Sequence, residues 1–260
     1  MRLLTGCLLC LLATVCRGEA GLADDERPVI TLAADIWCPY NCDPQSDRPG
    51  YVVEMAQQIF SRAGYRVDYR VMPWARALQS VDRGTITGAI GASPYELSSG
   101  VFPEQEIGQF RGHFIIPRTV TWRYQGDDSL DGMHIGVVNG YDYGSFNRFI
   151  ERNRDSDWLE VLSGDNAMNR GLAMVARQRL DAYVEDRNVA SYTIEQMQLQ
   201  NQLMIGDSVG TPVKLYIAFS DKLPKSQQYR QILNDGIVAM RASGELAQIL
   251  GRYGIKDWNP

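Results

Sequence analysis

Hydrophobic and polar positions follow two alternating periods along the chain, one helical and one strand-like, and residues 73–92 show both. Trp74, Leu78 and Val81 recur at the spacing of one helix face, and Gly84 ends that pattern. A short apolar run typical of a buried strand closes the stretch. A helix that leads directly into a buried strand is half of a β-α-β unit, so the stretch predicts parallel strands in an α/β fold.

The same pattern returns roughly a hundred residues later, over residues 166–186, where a helical stretch leads into an apolar strand. Two lobes of similar plan are the simplest architecture that accounts for both stretches. The predicted strands are 28–34, 65–72, 86–92, 113–117, 119–124, 134–138, 180–184 and 213–219. The predicted helices are 50–63, one beginning at 73, one reaching 152, one beginning at 166, 189–199, 226–240 and 244–253.

Two loops that follow predicted strands are candidate binding sites. Gly91 and Ser93 end the strand at 86–92, and small residues there let a ligand approach the backbone. Open parallel sheets bind ligands at the carboxyl ends of their strands, so we expect a ligand at this point. Residues 139–145 precede a helix, whose first amides favour anionic groups. Both loops also fit ordinary glycine turns, and the residues alone leave that alternative open.

Composition and charge narrow the class of protein. The chain has 260 residues, 45% of them hydrophobic and 22% charged, and a formal net charge of −5. These values are ordinary for a globular protein, and an acidic chain without a basic stripe is a poor nucleic-acid binder. We therefore expect no nucleic-acid partner.

The first residues have the pattern of a secretion signal. Arg2 supplies the charged start, residues 3–15 the apolar core, and residues 18–23 the small-residue cleavage pattern. The apolar core is shorter than the ~20 residues that a membrane-spanning helix needs. A lipid anchor at Cys16 is the competing interpretation, but the residue before it is bulky. We predict a cleaved signal peptide at residues 1–23 and a periplasmic location.

Removal of the signal leaves Cys38 and Cys42 of the five cysteines. An even pair in an oxidising compartment predicts a local disulfide, which would stiffen the turn that carries Trp37 and Tyr40. A metal site is the weaker alternative because the only histidines lie far away in sequence. A redox pair is also weaker, because its cysteines normally flank two residues and these flank three.

Six stretches, taken together and in order, resemble the periplasmic solute-binding proteins of family 3, the polar amino-acid-binding type. They are residues 37–40 (WCPY), 50–60 (GYVVEMAQQIF), 84–92 (GTITGAIGA), 136–144 (GVVNGYDYG), 180–191 (LDAYVEDRNVAS) and 243–253 (SGELAQILGRY). The resemblance covers essentially the whole mature chain. It implies an α/β, two-lobed type II periplasmic binding fold with two crossover strands.

The resemblance also implies the lobe bounds and the ligand position. Lobe 1 would comprise residues 24–113 and 217–260, lobe 2 residues 119–210, and the crossovers residues 114–118 and 211–216. The ligand would lie between the lobes.

Site residues follow from the resemblance position by position. Trp37 and Trp74 match aromatic positions that sandwich the ligand side chain, and Asp186 matches the carboxylate that receives its ammonium group. Tyr141, Tyr143 and Gly144 lie in the loop that matches the backbone donors of the second lobe. Both tryptophans also fit ordinary core positions.

One departure from the family concerns an arginine. The family usually places one a few residues after the strand at 86–92, where it grips an α-carboxylate, and this chain has none there. Arg76 or Arg111 would be the substitute, since a guanidinium can hold a carboxylate in a bidentate manner. The alternative for Arg76 is a solvated helix residue.

The expected function is capture of a small polar solute, an amino acid or related amine or carboxylate, for an ABC importer permease or a membrane sensor. We expect a monomer without cofactor or metal, and no enzymatic activity. The alternative is a small-carboxylate dehydratase on the same scaffold, with Glu54, Glu185 and Asp186 as candidates for an acid/base pair.

Overall fold

The computed structural model describes residues 26–164 and 166–259, so the predicted signal peptide at 1–23 lies outside the described residues. The strands are β1 (Val29–Ala34), β2 (Arg66–Val71), β3 (Gly88–Ala92), β4 (Gly108–Pro117), β5 (Ile135–Val138), β6 (Leu159–Leu162), β7 (Ala182–Asp186) and β8 (Leu203–Phe219). The helices are α1 (Tyr51–Arg62), α2 (Trp74–Asp82), α3 (Asn147–Arg152), α4 (Ala167–Ala176), α5 (Arg187–Gln196), α6 (Ser226–Ser243) and α7 (Glu245–Arg252).

The first lobe is built on three parallel strands in the order β2-β1-β3, with α1 and α2 as connections. The buried side chains of α2 are Trp74, Ala77 and Val81, which recur on one helix face as the sequence predicts. The helices α6 and α7 pack against α1, so the C-terminal segment returns to this lobe.

The second lobe repeats the plan with the parallel order β6-β5-β7. In both lobes the third strand lies beside the first and follows the second helix of the lobe, α2 or α4. The pattern shared by residues 73–92 and 166–186 therefore marks equivalent units, and the predicted two-lobed α/β architecture is confirmed.

Two long strands, β4 and β8, join the lobes into one curled sheet of eight strands in the order β2-β1-β3-β8-β4-β7-β5-β6. β8 pairs with β3 at its C-terminal end and with β4 along most of its length. β4 pairs with β7 from Gly112 onward, with an irregularity between Phe110 and Gly112. β4 thus keeps β8 as a partner throughout and gains β7 as a second partner from Gly112, before the predicted crossover at 114–118; the lobe bounds themselves stay a prediction.

The predicted strands differ from those of the structure in several places. Residues 119–124 contain no strand, and β6 occupies a position where none was predicted. β8 begins at Leu203, whereas the predicted strand begins at 213. Gly206, Gly210 and Pro212 interrupt the apolar alternation in that part of β8, which hides the strand in the sequence. Among the helices of the described residues, none is long and apolar enough to cross a membrane.

Candidate functional site

The carboxyl ends of four strands meet between the lobes, and an acidic side chain stands at or just after each of them. Asp35 follows β1, Glu96 follows β3, Asp142 follows β5, and Glu185 and Asp186 end β7. Parallel strands place their carboxyl ends at one edge of a sheet, so the repeated plan brings the acids of both lobes to one cleft.

Three of these acids and four aromatic rings line a cavity of about 30 Å³ between the lobes. Asp35, Glu96 and Asp142 are the carboxyl-bearing side chains of its wall. The rings belong to Trp37, Trp74, Phe110 and Tyr141. Within the described part of the chain, no lysine, arginine or histidine lines this cavity. Its volume admits about two water molecules, so the lobes close tightly on it.

Tyr141 of the second lobe lies edge-on to both tryptophans of the first. Its ring centroid is 6.4 Å from that of Trp37 and 6.3 Å from that of Trp74, at interplanar angles of 84° and 89°. Its hydroxyl donates a hydrogen bond of 2.7 Å to Oδ2 of Asp35. Tyr141 therefore fills part of the space beside the two predicted ring positions and ties the lobes together.

A second set of hydrogen bonds joins the lobes on the other side of the cavity. Nε1 of Trp74 donates to Oε1 of Glu96 at 3.0 Å and to the carbonyl of Gly140 at 3.2 Å. The hydroxyl of Ser93 donates to Oδ2 of Asp142 at 2.8 Å. The predicted positions Trp74 and Ser93 thus lie at the junction, and Gly91 lines the cavity itself.

Glu185 is fully buried, and only one of its two carboxyl oxygens has hydrogen-bond partners among the described residues. Its Oε1 accepts hydrogen bonds from Nε1 of Trp37 at 3.0 Å and from the amide of Asp186 at 2.7 Å, while its Oε2 has no partner among the described residues. The hydroxyl of Tyr183, two residues earlier on the same face of β7, is buried and unpartnered as well. An unpaired carboxylate oxygen in a dry site favours the protonated acid.

Burial raises the pKa of several of these carboxyl groups. It raises the pKa of Glu185 and that of Glu96 to about 8, although each accepts hydrogen bonds that favour its ionised form. It raises the pKa of Asp35 to about 6, against the hydrogen bond from Tyr141. A cation placed among these groups would favour their ionised forms, so the site is suited to positive charge.

Asp186 has a structural role in this conformation and does not line the cavity. Its Oδ1 accepts from the amides of Asn188 at 2.9 Å and Val189 at 3.3 Å, and so caps the N-terminus of α5. The hydroxyl of Tyr40 also donates to it at 3.3 Å, which adds a contact between the lobes. Tyr40 stacks on Trp37 with ring centroids 4.2 Å apart.

The backbone donors predicted at residues 141–145 are occupied by side chains of the protein. The amide of Tyr143 donates to Oδ1 of Asn147, that of Gly144 to Oδ1 of Asp142, and that of Ser145 to Oγ1 of Thr211. Tyr143 is buried beneath the loop, where its hydroxyl oxygen accepts from the amide of Val138. These amides are therefore not free to hold an anionic ligand group.

The two arginines predicted as substitutes for the carboxylate grip do not reach the cavity. Arg76 is exposed because it lies on the face of α2 opposite the buried Trp74, Ala77 and Val81. Arg111 is exposed too, at the irregularity of β4 between Phe110 and Gly112. This geometry supplies no guanidinium to a ligand in the cavity.

Cys38 and Cys42 form the predicted disulfide. The turn that it closes is held further by the amide of Trp37, which donates to the carbonyl of Asn41 at 2.8 Å. The side-chain amide of Asn41 donates to the carbonyl of Asp35 at 2.6 Å. The turn thus fixes both Trp37 and Asp35 at the edge of the cavity.

Glu54 is not part of the cleft, so the acid/base arrangement of the enzyme alternative does not include it. It lies on α1, where it pairs with Arg252 and accepts a hydrogen bond from Tyr253, both at the C-terminal end of the chain. In the described ranges, no three His, Cys, Asp or Glu side chains are grouped as a metal ion would require.

Asp35, Glu96 and Asp142 were not among the predicted site residues. Their signal in the sequence is positional, because each follows the end of an apolar strand within four residues. A search for acids after every strand of both lobes would have found all three.

No family model and no curated protein matches this chain. Solved structures do match. A histidine kinase sensor domain with similarity to periplasmic binding proteins is 17% identical with a TM-score of 0.73, over 88% of this chain and 97% of that one. The arginine-, lysine-, histidine-binding protein ArtJ from Geobacillus stearothermophilus is 12% identical with a TM-score of 0.72, over 89% and 97%.

A third similar structure is the amino-acid ABC transporter substrate-binding protein AbpA from Streptococcus pneumoniae, bound to L-arginine. It is 17% identical with a TM-score of 0.70, over 88% of this chain and 97% of that one. These similar structures are binding proteins and a sensor domain rather than enzymes. Likeness at this level of identity establishes the fold, and the chain has the type II fold of the periplasmic binding proteins.

Proposed function

We propose that the protein is a secreted, periplasmic solute-binding protein that holds a small amine as a cation between its lobes. It would deliver the amine to an ABC importer or present it to a membrane sensor, because similar structures include proteins of both kinds. The observation that carries the proposal is the cavity wall, which combines three carboxyl-bearing side chains and four aromatic rings.

The walls favour an amine over an amino acid. An α-carboxylate needs a guanidinium or free amides, yet Arg76 and Arg111 are exposed and the amides of residues 143–145 are taken. A buried carboxylate without a partner is strongly unfavourable. Of the expected solutes, an amino acid or a related amine or carboxylate, we therefore propose the amine.

Two physical effects would hold such a cation. Indole and phenol rings attract a cation over their faces, at about 0.5–2 kcal/mol per ring depending on desolvation. Asp35 and Glu96 supply negative charge once they ionise, and their raised pKa values mean that binding a cation would release protons. The apparent affinity should therefore increase as the pH rises.

The test compares two single substitutions. Native mass spectrometry of the purified protein identifies the solute that it carries, and calorimetry then measures the affinity of that solute. Asp35→Asn keeps an acceptor for the hydroxyl of Tyr141 but removes the charge, so binding should weaken about tenfold or more.

Arg76→Ala is the control, because this side chain is exposed on α2, and it should change the affinity less than about twofold. A solute that carries only negative charge would contradict the proposal. So would an Arg76→Ala effect as large as that of Asp35→Asn.

A further inference from the structure

A second and larger space adjoins the cavity, and we call it the outer cleft. It measures about 570 Å³, which falls within the ~300–1,000 Å³ typical of small-molecule sites. Its wall comes from both lobes. The second lobe contributes the start of α4 and the end of α5, and the first lobe contributes Asp35, Ile36, Cys38, Cys42, Asp43, Ser46 and Val71. It is therefore formed only when the lobes come together.

Asp35 and Tyr141 line the cavity and the outer cleft alike. They are joined by the hydrogen bond between the hydroxyl of Tyr141 and Oδ2 of Asp35. The two side chains thus stand where the two spaces meet, and a group bound in the outer cleft has direct access to the carboxylate of Asp35.

The wall of the outer cleft combines polar groups with several exposed apolar side chains. Ile36 is 49% exposed, Val71 38% and Tyr192 39%, and all three face this space. Two methionines, Met168 and Met197, complete the apolar wall with side chains that adapt to varied shapes. Large exposed apolar groups gathered at one concave place indicate a binding surface.

The charged side chains of the same wall are acidic. Asp35 and Asp43 line it, and among the described residues no lysine, arginine or histidine does. The combination of apolar side chains and carboxylates is complementary to a molecule with a positive group and an apolar body.

We propose that the outer cleft binds the apolar body of a solute whose ammonium group reaches Asp35, so that the ligand is an amphiphilic organic cation larger than a typical amino acid. This inference rests on the proposed function and names the class of its solute. The cavity of about 30 Å³ has room for an ammonium group, which is about the size of a water molecule, and the outer cleft has room for the remainder.

The probes are n-alkylammonium ions of increasing length: ethyl-, butyl- and hexylammonium, with hexanoate and 1-hexanol as charge controls. Calorimetry on the mature protein should show that each added methylene tightens binding about threefold to fourfold, because it is buried against the apolar wall. Hexanoate and hexanol should bind at least tenfold more weakly than hexylammonium.

The double variant Val71→Ser/Tyr192→Ser should reduce the gain in affinity per added methylene, and so weaken hexylammonium binding much more than ethylammonium binding. Both positions are exposed, so the variant should fold. Val238→Ser is the matched control, since Val238 is 48% exposed on α6 and does not line the cleft. In the Val238→Ser variant, the affinity should increase with alkyl chain length as much as in the parent protein.

The outcomes separate the two proposals. Equal affinity for ethyl- and hexylammonium would overturn the role of the outer cleft and leave amine capture standing. Hexanol binding as tight as that of hexylammonium would overturn the ionic part of the inference. If none of the ammonium ions binds, the proposed function fails together with this inference.

Discussion

At the scale of single residues, the contact between Tyr141 and Asp35 is the clearest link between structure and binding. It joins a strand end of one lobe to a strand end of the other, at 2.7 Å. A hydrogen bond donated to a carboxylate stabilises its ionised form, and this bond therefore holds the pKa of Asp35 below the value that burial alone would give.

Tyr141→Phe removes that donor and keeps the ring, so the pKa of Asp35 should rise above about 6. NMR titration of the labelled side-chain carboxyl carbon measures it. Tyr95→Phe is the matched control, because the hydroxyl of Tyr95 also donates to a carboxylate, that of Glu151, outside the cavity. An unchanged pKa of Asp35 in Tyr141→Phe would show that the hydrogen bond is not formed in solution.

At the scale of elements, two glycines let the loop after β5 lie directly on the crossover strand β8. A Cβ on Gly210 would lie 2.2 Å from the carbonyl oxygen of Tyr143, and one on Gly144 would lie 2.4 Å from that of Thr211. Both have positive φ, 74° and 61°. The position of Tyr141 in the cleft depends on this close approach.

Gly210→Ala should therefore destabilise the protein by more than about 3 kcal/mol, since it adds a backbone clash to the strain of a positive φ. Urea denaturation measures the change. Gly132→Ala is the control: its φ is 76°, but no atom lies within 4 Å of the added Cβ, so it should cost only about 1–2 kcal/mol. Equal losses in the two variants would contradict the role of close approach.

Some secondary-structure elements could be predicted from the sequence, and others could not. The units β1-α1-β2-α2-β3 and α4-β7 were predictable because their apolar periods are regular and glycines or prolines mark their ends. β6 carries the charged Glu160 among its four residues, whereas the equally short β5 has no charged residue and was predicted. β8 is interrupted by Gly206, Gly210 and Pro212.

Some residues of the candidate site could likewise be predicted from the sequence, and others could not. Gly91 could be found from local sequence because it lies near the end of a strand, whereas Trp37 and Trp74 were predicted through the family resemblance. Arg76 is exposed because of the way α2 packs, and Asp186 is a helix cap because α5 begins directly after it. Neither role could be predicted from the residue type alone.

At the scale of the whole molecule, the buried carboxyl groups set how stability depends on pH. The pKa values of Glu96 and Glu185 are raised from 4.5 to about 8, so the folded protein binds more protons than the unfolded chain between these values. The stability that these groups contribute is fully present below about pH 4.5 and is lost as the pH rises to about 8.

Without solute, the midpoint of thermal unfolding should therefore fall as the pH rises from 5 to 8. Glu185→Gln should reduce that slope and be more stable than the parent at pH 8, because the amide oxygen can still accept from Trp37 and no charge has to be buried. Differential scanning calorimetry over this range measures both effects. A midpoint that rises steadily with pH would contradict the raised pKa values.

The pairing of β4 with β8 has a further consequence, for the order in which the protein can fold during synthesis. Gly112 and Val209 are partners in register, so the chain passes into the second lobe and back to the first at neighbouring points. Its strands lie in one continuous stretch of chain, whereas β3 of the first lobe pairs with residues 216–219, which emerge much later. The second lobe can therefore complete its sheet while β3 still has an open edge, and the first lobe, although it begins the chain, is the last to close.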